Sequence, residues 1–425
     1  MMKSHLLTCF FIVIFPCAAM ADDWTQFRGP GGLGKSAETG LPVEWSSSRN
    51  VVWQADLPGP GASSPICLGD RVFVTCYSGY GLQPNEGDQQ KLRRHVLCFD
   101  RAAGKVKWQL EFKPKLPEHN YRGEGAYQGY AGSTPTTDGE RLYVFFGKSG
   151  VYCFDLDGKQ LWHTNVGEGT SGWGSGCSPV VYGNLLIINA SVESRALVAL
   201  DKKTGKEVWS AKGINSSWNT PLVHKLQGGR TELVVSVQNQ LMAFGPRAGE
   251  KLWQADGVHR YVCPSVVSHG ETLFAIGGGH TSLAVRGGGE GNVDKTHSLW
   301  RKTKGSNVGS PIYHNGHLYW FADGGGYLCC QNAETGETVF QQRMEPRPGR
   351  IWSSPVLADG RLYVVSHNNG TYVMAARPEF ELLAHNVFDD DDSRTNASPA
   401  ISDGQILLRT DRRLYCIGQR TRKQK

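Results

Sequence analysis

The side chains of this 425-residue chain best suited to hold a ligand are large aromatics and amides that recur just ahead of a Ser/Thr/Cys-Pro step. Tyr130, Trp173, Trp218 with Asn219, Tyr261, Asn307, Trp352 and Asn396 fill that place in successive copies of one repeat. Rings and amide dipoles gathered around one concavity bind a planar ligand, a sugar or an extended peptide, and the same side chains serve equally well to line or plug a structural funnel. Tyr121, Arg122, Glu124 and Tyr127 join them from the Tyr- and Gly-rich stretch 114–132, with Arg350 and Glu168 as further charges. That stretch and residues 77–94 are long enough to be functional or disordered. A Tyr/Gly composition suits recognition, and it also suits a lid packed over the face.

Other reactive residue types lack the spacing that chemistry needs. His314 and His317 flank the turn Asn315-Gly316 and belong to no triad or zinc pattern. Gly277-Gly278-Gly279 and Gly287-Gly288-Gly289-Glu290-Gly291 precede no helical pattern, so they are turns and not a dinucleotide loop. Asp389 to Asp392 lack the alternating ligands and central Gly of a calcium loop and read as a solvated acidic loop. Cys329 and Cys330 are adjacent within a strand; in-strand neighbours point to opposite faces, which disfavours a vicinal disulfide. Cys98, Cys153, Cys329 and Cys416 recur at one register of the third strand in four repeats, as small buried residues too far apart to pair.

Charge and composition narrow the classes. A net charge of +6 with 20% charged residues lacks the dense basic surface of a nucleic-acid binder. With 53 Gly and 12 Trp, the chain is turn-rich, aromatic-rich and all-β in character. Residues 1–21 read as a signal peptide, with an apolar run from Leu6 to Phe15 and the small-x-small site Ala19-Met20-Ala21. Export to the periplasm or beyond follows, with one domain over 22–419 and a basic tail over 420–425. Ile14-Phe15-Pro16 is a poor lipobox ahead of Cys17, and no later segment is apolar enough to span a bilayer.

The elements that must position the aromatics come from the repeat itself. Pro65, Pro135, Pro179, Pro221, Pro264, Pro311, Pro355 and Pro399 mark eight units, most of them 42 to 47 residues apart, and the first gap is widened to 70 by the two long loops. Each unit alternates short β-branched or aromatic runs with Gly turns, as in Arg361 to Ser366, then Asn368-Asn369-Gly370, then Thr371 to Met374. A meander of this length cannot bury both sheet faces alone, so the units must stack, and radial closure removes most exposed edges. The fold predicted is an eight-bladed β-propeller of four-stranded antiparallel blades. The last unit supplies three strands, and the strand around Trp53 completes it, closing the ring.

The element Asp201-Lys202-Lys203-Thr204-Gly205-Lys206-Glu207-Val208-Trp209, with partial copies at 100–108, 155–162, 247–253 and 332–340, resembles the docking motif of the pyrroloquinoline quinone (PQQ) repeat family. The resemblance covers nearly the whole chain after the leader. Trp24-Thr25-Gln26-Phe27-Arg28-Gly29-Pro30 is similar to the opening of exported repeat proteins of planctomycete-type bacteria, commonly grouped with BamB. In that family Thr-Gly makes the turn between third and fourth strands and Trp packs between blades. The motif therefore implies a fold and leaves the ligand open. The expectation is a monomeric, non-catalytic binding or scaffold protein whose partner is an envelope protein or polymer. The alternative is a PQQ- and Ca²⁺-dependent alcohol or sugar dehydrogenase, which needs a Glu/Asn/Asp calcium set that no motif places here.

Overall fold

The computed structural model describes residues 23–123, 127–322 and 325–419. The predicted leader 1–21 with Cys17, Glu124 and the predicted tail 420–425 lie outside them. Eight antiparallel sheets form the eight blades. Blade 1 consists of Ile66–Leu68, Arg71–Ser78, Arg93–Asp100 and Val106–Phe112. Blades 2 to 7 follow over 136–164, 180–212, 222–256, 267–302, 312–343 and 356–386. Blade 8 joins Ala400–Ser402, Gln405–Arg409 and Arg413–Ile417 to Val51–Asp56 from the other end of the chain. The N-terminal strand closes the ring as expected.

One sheet departs from four strands. In blade 5 the turn between third and fourth strands is replaced by an insertion, and its Gly291–Asn292 pairs in parallel with the outer strand Lys251–Asp256 of blade 4.

The repeated letters act between blades. Five docking tryptophans, Trp53, Trp108, Trp162, Trp209 and Trp300, lie on the glycine turn of the next blade: a Cβ at Gly205 would stand 2.6 Å from the Trp162 ring, so only glycine fits. Indole N–H groups donate to that turn's carbonyls, from Trp53 to Arg101 (2.7 Å), Trp108 to Leu156 (3.0 Å) and Trp300 to Ala333 (2.9 Å). Trp253 faces the blade 5 insertion, finds no such turn, and donates to the buried carboxylate of Glu232 at 3.0 Å.

Opposite each docking residue stands the small third-strand position: Cys98 faces Trp108, Cys153 faces Trp162 and Cys416 faces Trp53. In blade 6 it is Cys330 that faces Phe340, so the equivalent of the other three is Cys330 and not Cys329. A slip of one residue moves a side chain to the other face. Cys329 accordingly packs in the core between blades 5 and 6, and Cys330 in the core between blades 6 and 7.

Around the axis the residues of the Ser/Thr-Pro step form a closed collar. The backbone N–H of each donates to the hydroxyl of the next, in the order Ser64, Thr134, Ser178, Thr220, Ser265, Ser310, Ser354, Ser398 and back to Ser64, at 2.9–3.1 Å. Blade 5 enters through Ser265, so Cys263-Pro264 stands two residues ahead of the collar register, which Ser265-Val266 fills. Counting from Ser265 evens the neighbouring spacings to 45 residues each.

Candidate functional site

Alternating strand direction places the loops that enter each first strand, and the hairpins between second and third strands, on one face of the ring. The turns and the N-terminal segment occupy the other. Trp24 bridges to Cys67 in blade 1, the N–H of Thr137 in blade 2 donates to Thr25, and Arg28 Nη2 reaches the Pro311 carbonyl of blade 6 at 2.6 Å. Leu33 packs against blades 4 to 6, and Lys35 pairs beside Leu357 of blade 7. Within a dozen residues this segment crosses the axis and floors the channel, with Phe27 facing its interior. The channel is therefore a blind cup that opens only on the loop face.

Two aromatic groups stand at its mouth. On one side Trp173 meets Tyr261 edge-on at 4.3 Å and Trp218 at 5.4 Å, and Asn307 lies beside Tyr261 across Gly278. On the other, Tyr127 and Trp352 lie 6.1 Å apart with His367 against both, and Arg350 and Arg394 stack over Trp352 and Tyr127 respectively. Asn396 ties this group together, bonding His367 Nδ1 at 2.6 Å and donating to the Tyr127 carbonyl at 3.0 Å. All six of these predicted residues, Tyr127, Trp173, Trp218, Tyr261, Trp352 and Asn396, stay half-buried, with a face left for contact.

Three predicted binding residues are withdrawn from that surface. Tyr121 and Tyr130 are buried with Tyr77 and Tyr80 in a tyrosine cluster that seats the 114–132 stretch against blade 1. That part of the stretch is a packed lid. Asn219 is buried along the channel wall, donating to Ser217 Oγ and the Ser236 carbonyl. Arg122 is exposed on the lid, and Glu168 is exposed and paired with Lys115.

The acidic run also differs from the expected solvated loop. Asp391 is buried and accepts from Thr410, Tyr415 and Ser393 side chains, while Asp390 and Asp392 pair with Arg413 and Arg412. It fastens blade 8. Sequence reasoning did not find His367, Arg394 or the floor. The Trp24 to Pro30 opening was the available signal for the floor.

A buried polar group underlies the lid. Arg94 and Glu118 pair at 2.7 Å, and Glu193, in the hairpin of blade 3, accepts from Ser175. Burial pushes the Glu193 carboxyl up to about 7, against the opposing hydrogen bond of Ser175. A raised folded value means that this group's stabilisation is present below its ordinary 4.5 and is lost as pH rises through about 7. Glu193→Gln should match the parent near pH 4.5 and exceed it by roughly 3 kcal/mol at pH 8, read by chemical denaturation. His119, which burial holds down at about 4, titrates with the opposite sign, so the difference between variant and parent isolates Glu193. A difference that does not vary with pH would contradict the assignment.

Among proteins already known, the family model described as outer membrane protein assembly factor BamB matches residues 92–319 and 291–423. The outer membrane protein assembly factor BamB of Burkholderia pseudomallei is 24% identical over 378 residues, covering 76% of this chain and 86% of that protein. The crystal structure of BamB from Moraxella catarrhalis superposes with a TM-score of 0.61 at 12% identity, covering 88% of this chain and 99% of the other. The quinohemoprotein alcohol dehydrogenase ADHIIG of Pseudomonas putida HK5 superposes at 0.59 with 11% identity, covering 95% and 81%. The last two likenesses establish the shared propeller alone. Repeat, ring and matched model together place this chain in the BamB-like family of PQQ-type repeat propellers.

Proposed function

We propose that the protein is an exported, non-catalytic scaffold that binds a protein partner of the cell envelope through the loop face of the propeller. The observation that carries this reading is the pair of half-buried aromatic groups around a floored channel. Aromatics that are partly wet, with Arg and amide neighbours, have the composition of interface anchors. The B. pseudomallei relative, named as an outer membrane assembly factor, supports a partner of the same class. No helix among the described residues is long and apolar enough to cross a membrane.

Two features support the reading without the cofactor. Among the described residues no three His, Cys, Asp or Glu side chains converge, whereas a calcium ion needs a crowded oxygen shell. The cavity under Trp218 and Trp352 measures about 70 Å³, room for a few waters and not for a three-ring quinone.

The test is reconstitution with PQQ and Ca²⁺, followed by absorbance and by dye reduction with alcohols and aldoses. The expected result is no turnover. Turnover that disappears on Trp352→Ala would replace the scaffold reading with a dehydrogenase.

A further inference from the structure

The mouth holds one polar atom without a structural task. His367 stands between Tyr127 and Trp352, its ring centroid 5.9 and 5.3 Å from theirs. Its tautomer follows from its neighbours. The Tyr127 carbonyl can only accept, so the Asn396 amide must turn Nδ2 toward it, at 3.0 Å, and its own oxygen toward the imidazole. That oxygen lies 2.6 Å from His367 Nδ1, so Nδ1 is the donor and carries the ring proton. The backbone holds the ring in place, with the His367 N–H donating to the Arg350 carbonyl at 2.8 Å and the Thr395 N–H donating to the His367 carbonyl at 3.0 Å.

Nε2 is thereby left with a lone pair. It has no partner among the described residues and is not sealed from solvent, although only 5% of His367 stays exposed. Burial holds the ring below its ordinary range against the Asn396 bond, and the charges of Arg394 and Arg350 act in the same direction as burial. The imidazole is therefore a neutral acceptor at neutral pH. Solvent meets this nitrogen while the face is free. A partner that covers it must bring a donor of its own, or it strands the lone pair.

The surroundings narrow which donor fits. Arg350 already stacks over Trp352 at 5.8 Å and Arg394 over Tyr127 at 5.3 Å, so the cation positions on both rings are taken. A carboxylate at Nε2 would set lone pair against lone pair. A neutral N–H or O–H on a planar apolar body satisfies the nitrogen and also covers the half-buried faces of Tyr127 and Trp352. We propose, resting on the scaffold function proposed above, that His367 is the specificity-determining residue of the loop face. It takes an aromatic side chain of the protein partner that bears its own donor, an indole or a phenol, against Tyr127 and Trp352.

Amino-acid probes test this without the partner. They are the N-acetyl amides of tryptophan and of benzothienylalanine, in which sulfur replaces the indole N–H, and those of tyrosine and phenylalanine. Nitrogen NMR of histidine-labelled protein should show His367 Nε2 unprotonated at neutral pH, assigned by its loss in His367→Phe. At least one donor probe should move that resonance, and its donor-free counterpart should not. The same donor probe should bind about fivefold tighter than its counterpart, the worth of one hydrogen bond, and the ratio should fall to about one in His367→Phe. Tryptophan against tyrosine then names the side chain. If His367→Phe does not fold, the affinity ratios of the parent decide alone. A protonated Nε2, no binding by either donor probe, equal affinity within both pairs, or a ratio that persists in folded His367→Phe would each overturn the proposal. So would a methyl glucoside that moves the Nε2 resonance, since a sugar hydroxyl would then be the donor. Partner capture tests the scaffold function separately, so a retained partner beside silent probes removes this inference alone.

Discussion

A chain beginning after Gly61 should lose its cooperative unfolding transition altogether. It would lack the outer strand of blade 8 and the channel floor together. Trp24, Leu41, Trp45 and Trp53 are all buried, and each large apolar side chain contributes about 1.5–3 kcal/mol when buried. Their combined loss is comparable with the whole stability of a typical domain, about 5–15 kcal/mol. Trp53 also docks on blade 1, so its removal opens the blade 8 to blade 1 junction from both sides. Single-residue losses behave differently: Trp53→Ala should cost about 3–5 kcal/mol and leave a cooperative melt at lower temperature. Calorimetry on both forms checks this, and a sharp, unshifted melt for the truncated chain would show that closure is not needed.

Arg94→Ala should free the lid from the mouth. Arg94 donates to the carbonyls of Tyr130 and Phe146 and to Ser149 Oγ, and it pairs with Glu118, whose side chain is as buried as its own. Four acceptors from two elements, the lid and the blade 2 hairpin, meet at one guanidinium. Removing one partner of a buried pair strands the other in a dry site, at a cost of about 3–5 kcal/mol. Burial already pushes the Glu118 carboxyl up, with Arg94 opposing it, so loss of Arg94 should drive Glu118 neutral. The lid carries Tyr127 to its place beside Trp352, so the mouth should lose half of one aromatic group. Trypsin cleavage at Lys115 or Arg122, against a denaturant midpoint, separates local release from global loss. Parent-like cleavage and midpoint would mean that the tyrosine cluster alone seats the lid.

The architecture was legible because its signals are local and repeated. Strand alternation, Gly turns and the Thr-Gly…Trp element each recur at one spacing, and each has a physical reason to recur. Register was harder, since every blade carries a β-bulge beside the docking residue that shifts the count by one. Cys330 was missed for Cys329 because either letter fits, although Cys330 stands two residues before Asn332 as Cys98 does before Asp100. Pro264 misled for a similar reason, because the collar follows the hydroxyl and not the proline.

The mouth was partly legible. Trp173, Trp218, Tyr261 and Trp352 converge as their common repeat position implies. Tyrosine at that position does not reveal whether it will be wet, and Tyr121 and Tyr130 found a dry cluster among residues distant in sequence. The floor carried no periodicity at all. Its segment is held by backbone hydrogen bonds to blades 1, 2 and 7, by side-chain bonds to blades 6 and 8 and by packing of Leu33 on blades 4 to 6, a pattern that no alternation rule encodes.

The central claim is that the loop face binds an envelope protein through its two aromatic groups. Its most direct test is quantitative co-purification from envelope fractions with the parent, with Trp173→Ser/Trp352→Ser, and with Val208→Ser on the exposed outer rim as control. One partner should be retained by the parent and by Val208→Ser and reduced at least about tenfold by the double variant, as loss of interface anchors implies. Equal retention by all three forms would contradict it.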